Sequence, residues 1–314
     1  MLSRVADAVM WMNRYVERAE NVARFVDVNL YLELDLPQDE RTAWAPIVAT
    51  TGDHSLFRER YGEATRDAVL RFLVLDREYP SSVVSCLSAA RENARSVREV
   101  ISSEMFEVVN QAYLAVRGAD PAEALAAPHD FLTTVKQASQ LFVGTTHLTM
   151  THNEAWHFGR MGRLLERADK TSRIVDVKCF LLTQRPAAPG SPEDELQWLA
   201  LLRSASAFEM YRKRHRRVTL PDVVRFLVLD EAFPRSVYHC VYEAERSLRA
   251  FTAAQGRDDG ALDGPLTALT ALRDELGRTT VDAVLDRGLH ESLDAVQTKL
   301  NAVGTAVYET FLAR

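Results

Sequence analysis

The sequence predicts an all-α fold, an internally duplicated helical bundle with pseudo-twofold halves, and three observations lead there. Strand signals are nearly absent from the 314 residues, while apolar residues recur at spacings of three and four, the pattern of amphipathic helices. A long segment returns almost unchanged: RFLVLDREYPSSVVSC, Arg71 to Cys86, lies 154 residues before RFLVLDEAFPRSVYHC, Arg225 to Cys240. A charged motif also occurs twice, as RYVERAENVAR from Arg14 to Arg24 and as RLLERADKTSR from Arg163 to Arg173, 149 residues apart.

In chain order, Val5, Ala8, Val9, Met12, Val16, Ala19, Val22, Ala23, Val26 and Leu30 trace one apolar stripe, so the first helix is expected to be long. The offset of 154 also pairs Trp44 with Trp198, Phe57 with Tyr211, Arg58 with Arg212, Arg60 with Arg214 and Thr65 with Thr219. Thr65 and Thr219 suit N-caps of the RFLVLD helices, and Pro80 and Pro234 suit the first turn of the helices that follow, where a missing amide hydrogen costs nothing. Gly118 and Pro121 mark a further break, and FLTTVKQASQLFVG is echoed weakly by SLDAVQTKLNAVG. The second half carries five extra residues, expected within the Pro- and Gly-rich loop QRPAAPGSPEDE. These signals predict ten to twelve helices in a single domain over residues 1–314, made of helical repeats 1–150 and 151–314 that pack as one body.

Bulk properties narrow the function. With 47% hydrophobic and 26% charged residues the chain can bury a large core. A net charge of −6 disfavours nucleic acid as a partner. The three cysteines, Cys86, Cys179 and Cys240, are odd in number and far apart, which suits neither a disulfide framework nor a paired zinc site, and points to a reducing cytoplasm. The opening MLSRVADAVMWMNRYVERAE is charged throughout, unlike a signal peptide, and no apolar run reaches the ~20 residues of a membrane span. There is no Walker loop or dinucleotide fingerprint, so no cofactor is expected and ATP is not expected to bind this chain by itself.

The repeated charges are the main site candidates. On a helical wheel Arg14, Glu17, Arg18, Asn21 and Arg24 share one side, opposite the apolar stripe. A solvated face laced with i,i+4 pairs, Glu20 with Arg24 and Asp169 with Arg173, is the ordinary reading of such residues. Yet Phe25 and Val28, and Ile174 and Val177 in the second copy, fall in the same arc, which points to a face packed against something. Packed charges need partners. Reciprocal pairing of Glu17 with Arg167 and Glu166 with Arg18 would lock the halves in register. Alternatively the surplus arginines, Arg14, Arg24, Arg163 and Arg173, would clamp a carboxylate or phosphate.

Secondary candidates are Glu104, Glu107 and Asn110, spaced at i, i+3 and i+6, and Arg212 and Arg214 within the basic run YRKRHRR, Tyr211 to Arg217, which suits a helix C-terminus or an acidic partner. His147, His152, Glu154 and His157 do not share a helix face, so no metal site is expected. Ser82 and Ser236 read as caps, Cys86 and Cys240 as buried thiols, and no catalytic constellation emerges.

Together LSRVADAVMWMNRYVERAENVARFVD, EAWHFGRMGRLLERADKTSRIVD, ISSEMFEVVNQ and LLRSASAFEMYRKRH resemble the alpha-E domain family of bacterial helical proteins, across nearly the whole chain. Asn13 stands where the family's first motif usually has Gly, which loosens the expectation of close helix packing there. The resemblance implies a circularly permuted ATP-grasp ligase as partner, with a transglutaminase-like protein nearby, in systems that make or modify peptides by amide ligation. The function expected on that basis is a non-catalytic accessory or binding subunit of an ATP-grasp amide ligase acting on peptides or small carboxylates. Two alternatives stay open: an active site at the paired motifs with Glu17 or Glu166 as general base, and a plain helical scaffold. A homo-oligomer is compatible with all three readings.

Overall fold

The computed structural model describes residues 1–35, 40–184, 190–254 and 264–313. Among them the chain forms sixteen α-helices and no strand. In order these are α1 (Ser3–Asp35), α2 (Glu40–Ala49), α3 (His54–Tyr61), α4 (Arg66–Leu70), α5 (Val83–Ser96), α6 (Ser103–Gly118), α7 (Pro121–Ala126) and α8 (Pro128–Thr149). The second series is α9 (Glu154–Gln184), α10 (Pro192–Ser204), α11 (Phe208–Arg214), α12 (Leu220–Val224), α13 (Val237–Ala254), α14 (Pro265–Arg278), α15 (Val281–Arg287) and α16 (Leu289–Val307). The helices outnumber the sequence expectation in part because helices as short as α7 and α15 do not display a 3.6-residue period. Of the predicted QRPAAPGSPEDE loop, residues 185–189 lie outside the described residues.

Both RFLVL segments, Arg71–Leu75 and Arg225–Leu229, wind as π turns continuing α4 and α12, not as the α-helix the sequence suggests. The wider winding turns three successive side chains inward in each copy: Phe72, Leu73 and Val74 in one, Phe226, Leu227 and Val228 in the other, all buried. Thr65 and Thr219 cap α4 and α12, accepting from the amides of Ala68 and Asp222. The prolines are displaced from their expected place. Pro80 and Pro234 sit in turns two residues before the true caps, Ser82 and Ser236, which accept from the amides of Ser85 and His239 and donate to the carbonyls of Asp76 and Asp230. A hydroxyl that both accepts and donates ties the turn to the helix start, which proline cannot do.

The first helix, 33 residues, is about 50 Å long. Its apolar stripe is buried as predicted except at Val22, which is half-buried beside a cleft. The stripe packs on α5 and α8, and the other face of α1 packs on α9. Contacts between α1 and α9 advance in step: the Met1 amine meets Glu154, Val9 and Asn13 lie over Gly159, Met10 over Gly162, and Arg14 bonds Glu166. The two long helices are therefore parallel neighbours; α5 and α8 pack on α1 with α6 against both, as α13 and α16 pack on α9 with α14 against both.

Asn13 does not loosen this crossing. A Cβ on Gly159 would come within 2.5 Å of Asn13 Nδ2, and one on Gly162 within 2.7 Å of Met10 Cγ and 3.1 Å of the Met10 carbonyl oxygen. The glycines that permit the approach stand on α9 and receive the larger side chains of α1. Farther along the same helices, Asp27 bonds His129 Nδ1 at 2.7 Å and Lys136 Nζ at 2.6 Å, while Asp176 bonds His290 Nδ1 at 2.8 Å, pinning α8 to α1 and α16 to α9.

Gly162→Ala is expected to destabilise the protein by about 1–3 kcal/mol, because backbone as well as side chain would have to give way. Urea denaturation at neutral pH measures this; an unchanged midpoint would mean that the helices do not cross at Gly162.

Candidate functional site

The charged face of the motif is buried. Glu17 and Glu166 are 0% and 1% exposed, each on a helix whose opposite face carries the apolar core. Each reaches across the seam. Glu17 accepts from Arg167 Nε at 2.9 Å and Nη2 at 2.6 Å, and Glu166 accepts from Arg18 Nε at 2.7 Å and Nη2 at 3.1 Å. The two Glu-Arg pairs are thus reciprocal between α1 and α9, both bidentate in the geometry that suits guanidinium and carboxylate.

Each carboxylate also takes a second arginine. Arg14 donates from Nε to Glu166 at 2.9 Å, and Arg235, from the turn before α13, reaches Glu17 at 3.4 Å, Asn21 Oδ1 at 3.2 Å and Glu20. Asn21 donates to Glu17 Oε1 at 3.0 Å and to the Glu17 carbonyl at 2.8 Å. Arg24 bonds Glu20 at 2.6 Å and Ser206 Oγ, and Ser139 Oγ donates to Glu20 at 2.6 Å. Arg173 bonds Asp169 at 3.0 Å. The i,i+4 pairs of the ordinary reading are therefore present, Glu20–Arg24 largely buried in the seam and Asp169–Arg173 at its more exposed rim. Arg163 differs from the others: its Nε is buried without a hydrogen-bond partner.

Charge balance follows this geometry. Burial by itself would raise the Glu17 carboxyl, but the guanidiniums of Arg167 and Arg235 outweigh it and hold it down to about 2. Burial is likewise overcome at Glu166, where Arg18, Lys170 and Arg14 hold the carboxyl well below the usual range. Burial and the neighbouring Arg167 push Arg163 down to about 10. Cys86 and Cys240 are pushed up to about 12 by burial, which leaves both thiols protonated and unreactive at neutral pH.

Beside Glu166 the seam opens into a cleft of roughly 520 Å³. Trp11, Arg14 and Arg18 of α1 line it with Ser81, with Asp169, Lys170 and Arg173 of α9, and with Leu300, Thr305, Tyr308 and Leu312 from α16 and its final turn. Arg14 lies over the Trp11 ring at 4.6 Å, which adds a second hold on the guanidinium besides Glu166. Arg18, Ser81, Lys170 and Arg173 also border a smaller groove that runs on over Val22, Phe25, Ile47 and Leu73. Phe25, Val28 and Ile174 line a third hollow farther along. The apolar members of the arc thus border surface hollows beside the charged seam; the side chain of Val177 lies outside the described residues.

The secondary candidates stand elsewhere. Glu104 and Glu107 are exposed on α6, and Asn110 accepts from Arg91 Nε at 3.2 Å between α5 and α6, so the three do not meet in a pocket. Arg214 pairs with Asp230 at 2.5 Å and Arg212 lies over Phe208, at the C-terminal turn of α11, as the helix-end reading expects. His152 stacks on Trp156 at 3.9 Å, and no cluster of three or more metal-ligating side chains occurs among the described residues. Sequence reasoning missed Arg235, Ser81, Lys170, Trp11 and Tyr308. The signal for the first three lies in the differences between the copies, Ser81 against Arg235 and Asn21 against Lys170.

Residues 1–312 match the family model described as a predicted alpha-helical domain with a conserved ER motif. The chain belongs to the Alpha-E family. The chain's own repeated Glu-Arg pairs, Glu17-Arg18 and Glu166-Arg167, stand at the centre of the seam. Among curated relatives, uncharacterized proteins of Mycobacterium bovis and Mycobacterium tuberculosis CDC 1551 are each 25% identical over 97% of this chain, and one of M. tuberculosis H37Rv is 24% identical over the same share. This Alpha-E chain spans 37% of the length of each. No solved structure matches. Among the described residues no helix is long and apolar enough to cross a membrane.

Removing one partner of a buried pair leaves the other charge uncompensated, so Arg167→Ala is expected to cost ~3–5 kcal/mol in urea denaturation, against ~1 kcal/mol or less for the more exposed Arg173→Ala. Equal losses would remove the distinction between seam and rim.

Acid acts through the same groups. The unfolded chain binds a proton at Glu17 near its ordinary 4.5, whereas the folded chain holds off until about 2. The stability that Glu17 contributes is therefore complete above pH 4.5 and is lost as pH falls through that window. Unfolding free energies measured down this range are expected to fall, and to fall less steeply in Glu17→Gln; parallel slopes would show that Glu17 is not held ionised.

Proposed function

We propose that this Alpha-E chain binds and positions an oxyanion-bearing molecule, the carboxylate of a peptide or small acid or a phosphate, in the cleft beside Glu166. The carrying observation is the excess of cations there: Arg14, Arg18, Lys170 and Arg173 line or border the cleft against only Asp169 on its wall and Glu166 beneath it. Each arginine presents five donors, and those not spent on Glu166, Asp169 or Ser81 are left for a ligand. The two carboxylates orient the guanidiniums before a ligand arrives, which lowers the cost of binding. Trp11 and Tyr308, with Leu300 and Leu312, supply apolar wall for the remainder of the molecule.

Binding is favoured over catalysis by the state of the glutamates. A general base works best with a pKa near the operating pH. Glu17 and Glu166 are clamped by two arginines each and held far below it, so their role is to brace and to orient.

The resemblance supports placing this activity in a bacterial, cytoplasmic peptide-modifying system. A circularly permuted ATP-grasp ligase would activate the carboxylate as an acyl phosphate, a transglutaminase-like protein would act nearby, and the Alpha-E chain would be the accessory subunit holding the substrate.

Isothermal titration with inorganic pyrophosphate and with a tetrapeptide ending in glutamate tests the cleft. A charge-assisted hydrogen bond is worth ~1.5–3 kcal/mol, so Lys170→Gln and Arg173→Gln are each expected to weaken binding ~10–100-fold with the fold intact. Wild-type protein that takes up neither probe at millimolar concentration would overturn the reading. Co-purification with the ATP-grasp ligase of the same genome tests the partnership, and failure with both proteins folded would remove it.

A further inference from the structure

The two sides of the α1–α9 seam share one frame of charges. Glu17 matches Glu166, Arg18 matches Arg167, Glu20 matches Asp169 and Arg24 matches Arg173, and in each set the structure makes the same bonds. The sides differ in where the cation that bridges the two carboxylates comes from. On one side it is Lys170, on the helix itself, whose Nζ lies 3.0 Å from Asp169 and 3.8 Å from Glu166. On the other side the matching position is Asn21, and the bridge is Arg235, which reaches in from the turn before α13 to Glu17 and Glu20.

The position that matches Arg235 is Ser81. Its short side chain takes only a hydrogen bond from Arg18 Nη1, at 3.3 Å, and both the 520 Å³ cleft and the adjoining groove include Ser81 in their walls. Arg235, with a side chain only 12% exposed, fills the equivalent space with its own guanidinium. One cation has been exchanged between two positions. The count of charges is preserved on both sides, and the 520 Å³ cleft lies on the side that carries Ser81.

We propose that this exchange, Ser81 with Lys170 against Arg235 with Asn21, makes one of the two matching sides of the seam the single oxyanion site of the protein, and that Ser81 is the residue that keeps it open. Arg235 is then the built-in occupant of the second, closed side. The inference rests on the reading of the cleft given above and adds its stoichiometry and its determinant. The chemistry recognised is an oxyanion, borne by either a carboxylate or a phosphate.

The test is a charge-neutral transplant. Ser81→Arg combined with Lys170→Asn gives the open side the pattern of the closed one without altering net charge. Arg235→Ser combined with Asn21→Lys does the reverse. Titration with inorganic pyrophosphate and, separately, with the glutamate-terminated tetrapeptide is expected to give one equivalent bound by wild type, a loss of affinity of at least tenfold in the first variant, and two equivalents in the second. The probe bound more tightly identifies phosphate or carboxylate as the source. Ser81→Leu, which fills the same volume without charge, is expected to weaken binding as well and serves if the first double variant does not fold by circular dichroism. Two equivalents bound by wild type, or undiminished binding by a folded Ser81→Arg/Lys170→Asn or Ser81→Leu protein, would overturn the inference while leaving the cleft's binding function standing. A wild type that binds neither probe would overturn both.

Discussion

Two buried carboxylates that must be neutralised from the opposite helix govern this molecule. A glutamate with no exposure is tolerable only when opposing charges and hydrogen bonds compensate its lost hydration. Glu17 and Glu166 meet that demand by facing each other's arginine across parallel helices. The net gain in stability over a pair of apolar residues is small, but the penalty for misalignment is large, since a slide of α1 along α9 would strand charges in the interior. The pairs therefore specify register more than they add stability. Once register is set, α5 and α8 pack on the outer face of α1, α13 and α16 on that of α9, and the helical bundles close around each long helix.

The same groups brace the protein and form its cleft. Arg18 is bidentate to Glu166, borders the cleft and carries the Ser81 contact. Arg14 does similar work from the Trp11 face. A guanidinium held in place by a buried acid is a fixed donor array, and its rigidity derives from the interior, not from the ligand.

Much of this was legible in the residues. The placing of Glu17, Arg18, Glu166 and Arg167 on packed faces followed from Phe25, Val28 and Ile174 sharing their arc, and the cost of burying them left two readings open, reciprocal pairing and an anion clamp. The all-helical class followed from periodicity. The π turns were not legible, because RFLVL satisfies an α-helical pattern equally well and only tertiary packing selects the wider winding. Short helices such as α7 and α15 hold too few turns to show a period. Arg235 was not legible because it lies outside the repeated Glu-Arg motif, and its matching position in the first copy is Ser81, which carries no charge. The Asp27-His129 and Asp176-His290 braces join residues more than a hundred positions apart, and no local spacing announces them.

The crossing of the long helices is lopsided. Met10 and Asn13 project from α1, and Gly159 and Gly162 on α9 yield to them. The two helices relate as a die and its mould. Two copies of the amino-terminal half brought together would press Met10 and Asn13 against their own kind with no recess to receive them, and two carboxy-terminal halves would leave a void between facing glycines. Although the halves echo each other in sequence, neither can stand in for the other at this crossing.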